Sequence, residues 1–245
     1  MTEISVAIVG YGRMGREVEQ AARARNIPIS HIITDRQKLE SAKFSATDIA
    51  VCFTNPRAEA ENVRYLCSRG VSMVIGTTGW QHQVPELEHI VRDNKVGLLV
   101  SGNFSLGVQL FQKMVRMAAE TLAKTKVYDV LMHEWHHQHK QDAPSGTAKE
   151  LAHNILDVWP DKKEWVLTPH DRAVAPHELA ISAARGGAAF GEHQVIFDSE
   201  ADCITLTHTS KGRAAYAHGA LSAAQWLAGK KGLYTLDEMM SEWLS

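Results

Sequence analysis

Residues 4 to 15 read Ile-Ser-Val-Ala-Ile-Val-Gly-Tyr-Gly-Arg-Met-Gly. A short apolar run of strand length stops at Gly10, and an amphipathic stretch of helical spacing follows from Arg13. The glycines between them, Gly10, Gly12 and Gly15, form a GxGxxG turn in which Tyr11, Arg13 and Met14 are the variable positions. Glycine there lets the chain turn tightly and lets a pyrophosphate approach the backbone at a helix start. By itself the motif fits any glycine turn of an α/β protein. Asp35 makes it specific, because it ends the next apolar run 20 residues after Gly15, where a carboxylate can accept hydrogen bonds from an adenosine ribose.

The same rhythm continues outward. Strands are predicted at Ile4 to Val9, Ile29 to Thr34, Ile49 to Phe53, Val71 to Ile75 and Val96 to Val100, with helices at Arg13 to Arg25, Arg57 to Arg69 and Val84 to Asn94. Alternating strands and helices predict a parallel sheet wrapped by helices, a Rossmann-like dinucleotide-binding domain. Two loops at predicted strand ends, Gly76-Thr77-Thr78-Gly79 and Ser101-Gly102-Asn103-Phe104, fall where such sheets hold ligands. Arg36 directly follows Asp35, and a guanidinium there suits the 2'-phosphate of NADP. The pair predicts use of both NADH and NADPH, with NADH favoured.

Beyond Phe104 the pattern changes. A helix is expected over Ser105 to Lys124, a strand over Val127 to Trp135, a helix from about Thr147, and strands at Glu192 to Phe197 and Cys203 to His208. Strands that follow one another without helical crossovers predict a smaller α+β domain with a mixed or antiparallel sheet. Arg213 to Leu227 is helical again and is expected to return to the first domain. The expected division is residues 1–104 with 213–245 for the nucleotide and 105–212 for substrate and oligomerisation.

Composition narrows the function. Lys plus Arg (26) and Asp plus Glu (28) nearly cancel, so no global field draws the chain to nucleic acid or anionic lipid. The opening residues carry no basic leader and no apolar run reaches membrane length, which predicts a cytoplasmic protein. Cys52, Cys67 and Cys203 form no CxxC pair and read as reduced core thiols.

The densest chemistry lies at Glu134-Trp135-His136-His137-Gln138-His139-Lys140-Gln141-Asp142-Ala143-Pro144-Ser145-Gly146-Thr147. Histidine carries a proton near neutral pH, and lysine sets a point charge against a carboxylate. Thr147 and Glu150 have capping-box spacing, which predicts a helix start whose free amides bind an anion. A metal site competes, because four of the 13 histidines fall between His133 and His139. Adjacent His136 and His137 point to opposite faces of a strand, however, and no metal-binding spacing is present, so no metal is expected. A merely solvated polar loop is the third reading.

The stretch EWHHQHKQDAPSGTA resembles the E-x-H-H-x-x-K-x-D-x-P-S-G-T-A signature of the 4-hydroxy-tetrahydrodipicolinate reductase (dihydrodipicolinate reductase) family. GYGRMG, GTTG, NFSLGV, the RGG at Arg185, GEHQVIF and AHGALSAAQWLAGKKGLY are also similar to that family and come in its order. The resemblance implies that His136 and Lys140 handle protons, and that His137, Ser145, Gly146 and Thr147 hold a cyclic imine dicarboxylate. It assigns Gly10 to Gly15, Asp35, Arg36, Gly76 to Thr78 and Ser101 to Phe104 to the cofactor. It further implies a homotetramer. Which of His136 and Lys140 protonates carbon stays open. Another two-domain nicotinamide oxidoreductase and a nucleotide binder without turnover are the rival readings.

Overall fold

The computed structural model describes residues 3–169 and 171–244. Chain order begins β1 (Ser5–Val9), α1 (Arg13–Ala24), β2 (Ile29–Ile33), α2 (Arg36–Ser41), β3 (Asp48–Cys52), α3 (Glu59–Ser68), β4 (Ser72–Ile75), α4 (Val84–Asp93), β5 (Gly97–Val100) and α5 (Leu106–Ala123). It continues β6 (Asp129–His136), α6 (Gly146–Leu156), β7 (Glu164–Thr168), β8 (Glu178–Arg185), β9 (Glu192–Asp198), β10 (Cys203–Thr209), α7 (Ala214–Leu227), β11 (Gly232–Thr235) and α8 (Leu236–Leu244). These elements form two compact units, one of residues 1–106 with 213–245 and one of residues 107–212.

The first unit is built on a parallel sheet of order β11-β5-β4-β3-β1-β2. Its central strands are apolar on both faces. Ile8, Val51, Val74 and Leu99 pack towards α1, α7 and α8, while Cys52, Met73, Ile75 and Leu98 pack towards α3 and α4. Burying one such aliphatic side chain contributes about 2 kcal/mol, so a strand with two apolar faces is stable only inside a sandwich of helices. Strand order reverses between β1 and β3, which places the ligand crevice of an open α/β sheet at their carboxyl ends.

The helix formed by residues 214–227 belongs to this unit, and its small residues seat it close to the sheet. A Cβ at Gly219 would lie 1.7 Å from the Phe104 carbonyl oxygen. β11 then adds the outermost strand beside β5, and Leu236, Met239 and Met240 of α8 complete the core.

The second unit carries a mixed sheet of order β10-β9-β6-β8-β7. β6 runs antiparallel to β9 and parallel to β8. The sheet is mixed, as expected, but its strands do not all follow one another without a crossover, since β6 reaches its parallel neighbour β8 through α6 and β7. Val130 and Met132 of β6 face a core formed with α5 and α6, including Phe111, Val115, Leu151 and Ile155. Leu131 and Trp135 alternate with them and are exposed on the opposite face.

Cys52 and Cys67 are buried, and burial pushes both thiols up, Cys67 to about 11. Cys203 departs from the core reading. It opens β10, an edge strand whose side chains are mostly exposed, and its thiol is free on the surface. No helix among the described residues is long and apolar enough to cross a membrane.

Candidate active site

At the carboxyl end of β1 the three glycines meet different demands. Gly10 has φ +90°, and a Cβ there would lie 2.2 Å from the Phe53 carbonyl oxygen, so the turn closes against β3 only with glycine. Gly15 sits where a Cβ would come within 2.1 Å of the Gly10 carbonyl oxygen. Gly12, by contrast, has nothing within 4 Å of its Cβ position and caps α1, whose first turn holds no acidic residue. Backbone open to solvent at a helix start fits a pyrophosphate.

Beside it lies a cavity of about 610 Å³, lined by Gly10, Gly12, Asp35, Arg36, Thr54 and Asn62 among others. Asp35 caps α2. It accepts from the Lys38 amide at 2.9 Å and the Thr34 hydroxyl at 2.8 Å, and these bonds hold its carboxyl below the usual range. Arg36 is engaged with Glu40 at 2.7 Å and lies over the Tyr65 ring. A neighbouring hollow is lined by Arg13, Met14, Gly76, Thr77 and Thr78. The Thr77 hydroxyl is turned inward, accepting from the Thr54 amide and donating to the buried Glu59 carboxylate.

The Ser101–Phe104 loop is tied by its own side chains. Ser101 Oγ donates to the Asn103 carbonyl, and Asn103 Oδ1 accepts from the Ser105 amide. Phe104 is 1% exposed and packs edge-on against Phe53, so it belongs to the core. Tyr11 donates its hydroxyl to Glu19, and Arg16 lies over its ring.

The second unit gathers its chemistry by strand geometry. Glu134 and His136 are two residues apart on β6 and share the buried face that carries Val130 and Met132. Register places His193 of β9 opposite Glu134 and Arg185 of β8 opposite His136, on that same face. His208 of β10 extends the row beyond His193.

Glu134 is the hub. Its Oε1 accepts from Arg185 Nη2 at 2.7 Å and from the Ser145 amide at 3.0 Å. Its Oε2 lies 3.5 Å from His193 Nε2 and 3.6 Å from His136 Nδ1. Burial alone would raise the Glu134 carboxyl, but His193, Ser145 and Arg185 outweigh it and hold it far below the usual carboxylate range. Ligand-type atoms of Glu134, His136 and His193 fall within 4.8 Å of one another, and Arg185 supplies the positive charge beside the carboxylate.

The His136 and His193 rings meet edge to face. Burial drives His136 down to about 4, against the opposing pull of Glu134. Room for the ring comes from Gly191, where a Cβ would lie 2.9 Å from His136 Nε2. His136 therefore favours the neutral form, and acid should cost stability. The unfolded chain takes up this proton near 6.5, so the contribution is full above that pH and is lost as pH falls towards 4. Between pH 7 and 5 the loss is about 2 kcal/mol. Urea midpoints at the two pH values should show it, with a flatter dependence in His136→Asn. A wild-type midpoint unchanged over that range would refute it.

Beyond β6 the segment turns back on itself. The His137 amide donates to the Ala189 carbonyl, the Lys140 amide to the His137 carbonyl, and Lys140 Nζ to Asp142 Oδ1 at 2.6 Å. β6 ends at His136, so strand alternation does not govern His137, which is half-buried in the following loop. The capping box at Thr147 is also corrected. The cap of α6 is Ser145, whose backbone is extended and whose Oγ accepts from the Ala148 amide at 3.2 Å while meeting His193 Nε2 at 3.1 Å. Gly146 and Thr147 follow in the first turn, where an α-helix offers its amides no internal acceptor.

The residues gathered at the end of β6 thus include Glu134, Ser145 and His136, together with Arg185 and His193, to which the sequence reading gave no separate role. The sequence signals for the last two were the RGG and GEHQVIF motifs that carry them and their polarity on an otherwise apolar strand face.

A dinucleotide turn on a parallel sheet, carried with a second unit whose mixed sheet buries titratable side chains, is the build of a two-domain nicotinamide oxidoreductase. Residues 4–104 match the family described as dihydrodipicolinate reductase, N-terminus, and residues 107–240 match its C-terminus. A 4-hydroxy-tetrahydrodipicolinate reductase from Christiangramia forsetii is 32% identical over 239 residues, covering 98% of both chains. One from Methanosarcina mazei is 35% identical over 238 residues, covering 96% of this chain and 88% of that one. The chain belongs to the dihydrodipicolinate reductase family, and it is an NAD(P)H-dependent oxidoreductase with a nucleotide-binding Rossmann domain.

The fold is shared with a dipicolinate-bound dihydrodipicolinate reductase from Paenisporosarcina sp. TG-14. That structure has a TM-score of 0.74 at 24% identity, covering 96% of this chain and 98% of that one. An amine dehydrogenase from Mycobacterium smegmatis has the fold more distantly, with a TM-score of 0.58 at 12% identity and 96% coverage of each.

Proposed function

We propose that the protein reduces 4-hydroxy-tetrahydrodipicolinate to tetrahydrodipicolinate with loss of water, in the diaminopimelate route to lysine. The observation that carries this reading is the family match over both units, with the signature segment placed on the buried cluster at the end of β6. The residues of the first unit fit a dinucleotide, because Gly12 leaves open backbone at a helix start and Asp35, between β2 and α2, lies beside a cavity. Gly10 to Gly15, Asp35 and Arg36 hold its phosphates and adenosine ribose. Gly76 to Thr78 and Ser101 to Phe104 hold the nicotinamide end, largely through backbone. When bound, the reduced nicotinamide supplies hydride.

In the second unit the amides of Gly146 and Thr147, with Ser145 and His137, receive the carboxylates of a cyclic imine diacid. Lys140 adds a point charge and exchanges Asp142 for a substrate carboxylate. His136 handles the proton that the reduced ring requires. It is neutral in the free protein, and two approaching carboxylates favour its charged form.

Both cofactors are used, with NADH favoured, since Arg36 is already paired with Glu40 while Asp35 stands at the strand end. The protein works in the cytoplasm as a homotetramer joined through the outer face of the mixed sheet, where Leu131 and Trp135 are exposed. No nucleic acid or membrane takes part.

The test follows nicotinamide absorbance with freshly generated substrate. Turnover is expected with NADH and with NADPH, and kcat/KM should be higher for NADH. A preference for NADPH above about 100-fold would overturn the cofactor assignment. Tight nucleotide binding with no turnover would leave a nucleotide binder instead.

A further inference from the structure

Glu134 is 1% exposed, stays ionised beside Arg185, and is bonded on one oxygen while the other has no hydrogen bond. Its Oε1 is occupied by Arg185 and the Ser145 amide, so the carboxylate cannot rotate freely. The remaining oxygen, Oε2, faces Nδ1 of His136 at 3.6 Å, and that nitrogen is itself buried without a partner. On the other side of the ring, Nε2 lies against Gly191, whose missing side chain leaves room for it. We propose that Glu134 is the positioning residue of the site, fixing the His136 proton on Nδ1 so that Nε2 is the atom that exchanges a proton with the substrate.

An ionised carboxylate only accepts, so the nitrogen facing it must carry hydrogen. Separations in a ligand-free site commonly shorten when the substrate closes on it. Other titratable or charged groups on that side are Arg185 from β8, His193 from β9 with His208 of β10 behind it, and Lys140 from the loop after β6. His193, Lys140 and Arg185 oppose a charge on His136, and Glu134 favours it. The protonated ring releases its proton from Nε2 to the substrate, Nδ1 keeps its own, and Glu134 remains a carboxylate throughout. The same carboxylate also holds the Ser145 amide at the start of α6, so one side chain sets both the proton-handling ring and the helix start that receives the anion.

This inference rests on the proposed reaction, and Glu134→Gln tests it. Arg185 and the Ser145 amide both donate, so they hold the Gln carbonyl at the old Oε1 position and leave its NH₂ facing His136. That group donates to Nδ1 and drives the proton to Nε2, while the negative charge that supports the imidazolium is gone. Expected are a fall in kcat of about 100- to 1,000-fold, a substrate KM within about threefold, and an alkaline limb of the kcat profile moved down by a pH unit or more. Glu134→Asp, which restores the charge, should recover at least about tenfold of the lost kcat.

Nitrogen-15 shifts of His136, assigned with His136→Asn, should show hydrogen on Nδ1 in the unaltered protein and on Nε2 in Glu134→Gln. An Nε2–H tautomer in the wild-type protein overturns the inference even if the variant fails to fold. So does a variant whose KM rises and Tm drops while the alkaline limb stays in place, since that is what a purely structural carboxylate gives. A wild-type protein with the Nδ1–H tautomer and no turnover would refute the proposed reaction and not this arrangement.

Discussion

Lys140→Ala is expected to lower kcat/KM for the dicarboxylate by about three orders of magnitude and to leave NADH affinity unchanged. The ammonium group is only partly exposed and lies beyond the end of β6 on a turn held by the His137 carbonyl. Its one charged partner among the described residues is Asp142, itself half in solvent. A substrate carboxylate therefore meets a cation that is already placed and loosely paired, which an alanine cannot replace. Arginine at this position keeps the charge but not its compact shape, so Lys140→Arg should recover only part of the rate. The cofactor is assigned to residues of the other unit, so nucleotide binding should not move. Steady-state kinetics with a parallel NADH fluorescence titration checks both halves, and turnover near the wild-type level would defeat the assignment.

The second large effect belongs to Gly15→Ala. Its added methyl would come within 2.1 Å of the Gly10 carbonyl oxygen, and both are main-chain positions with no side chain that can swing aside. The turn must open, so NADH affinity should fall by at least about 100-fold and stability by several kcal/mol. Gly12→Ala makes the contrast. Nothing stands within 4 Å of its Cβ position, so the variant should keep its Tm and lose only nucleotide affinity. Calorimetric titration with NADH and thermal unfolding separate the two outcomes. A Gly15→Ala protein that binds NADH within threefold of wild type would show that the turn does not set the site.

The parallel half was legible because its strands are apolar on both faces and are punctuated by glycine turns, as in Ile4 to Gly15. What escaped had no such pattern. β8 reads Glu-Leu-Ala-Ile-Ser-Ala-Ala-Arg, whose alanines suit a helix as well as a strand, and β11 has only four residues. α2 buries a single side chain, Leu39, too little to set a period. Within the site, Glu134 and His136 share a face by simple alternation, which the sequence displays. Arg185 and His193 join them only through strand register, and register is fixed by pairing across some 50 residues of chain. The helix cap was misplaced by two residues because both Ser145 and Thr147 have capping chemistry. Tertiary bonds of Ser145 to His193 and Glu134 decide between them.

The return of α7, β11 and α8 to the first unit has a consequence for biosynthesis. A ribosome delivers residues 107–212, which form a contiguous unit, before it delivers the last elements of the nucleotide-binding core. Until residues 214–240 emerge, Ile8, Val51, Val74 and Leu99 lack α7 and α8 and have only α1 against that face. The usual order of synthesis, in which the amino-terminal domain is finished first, is thus inverted. The nascent chain completes its mixed sheet while the dinucleotide fold is still open.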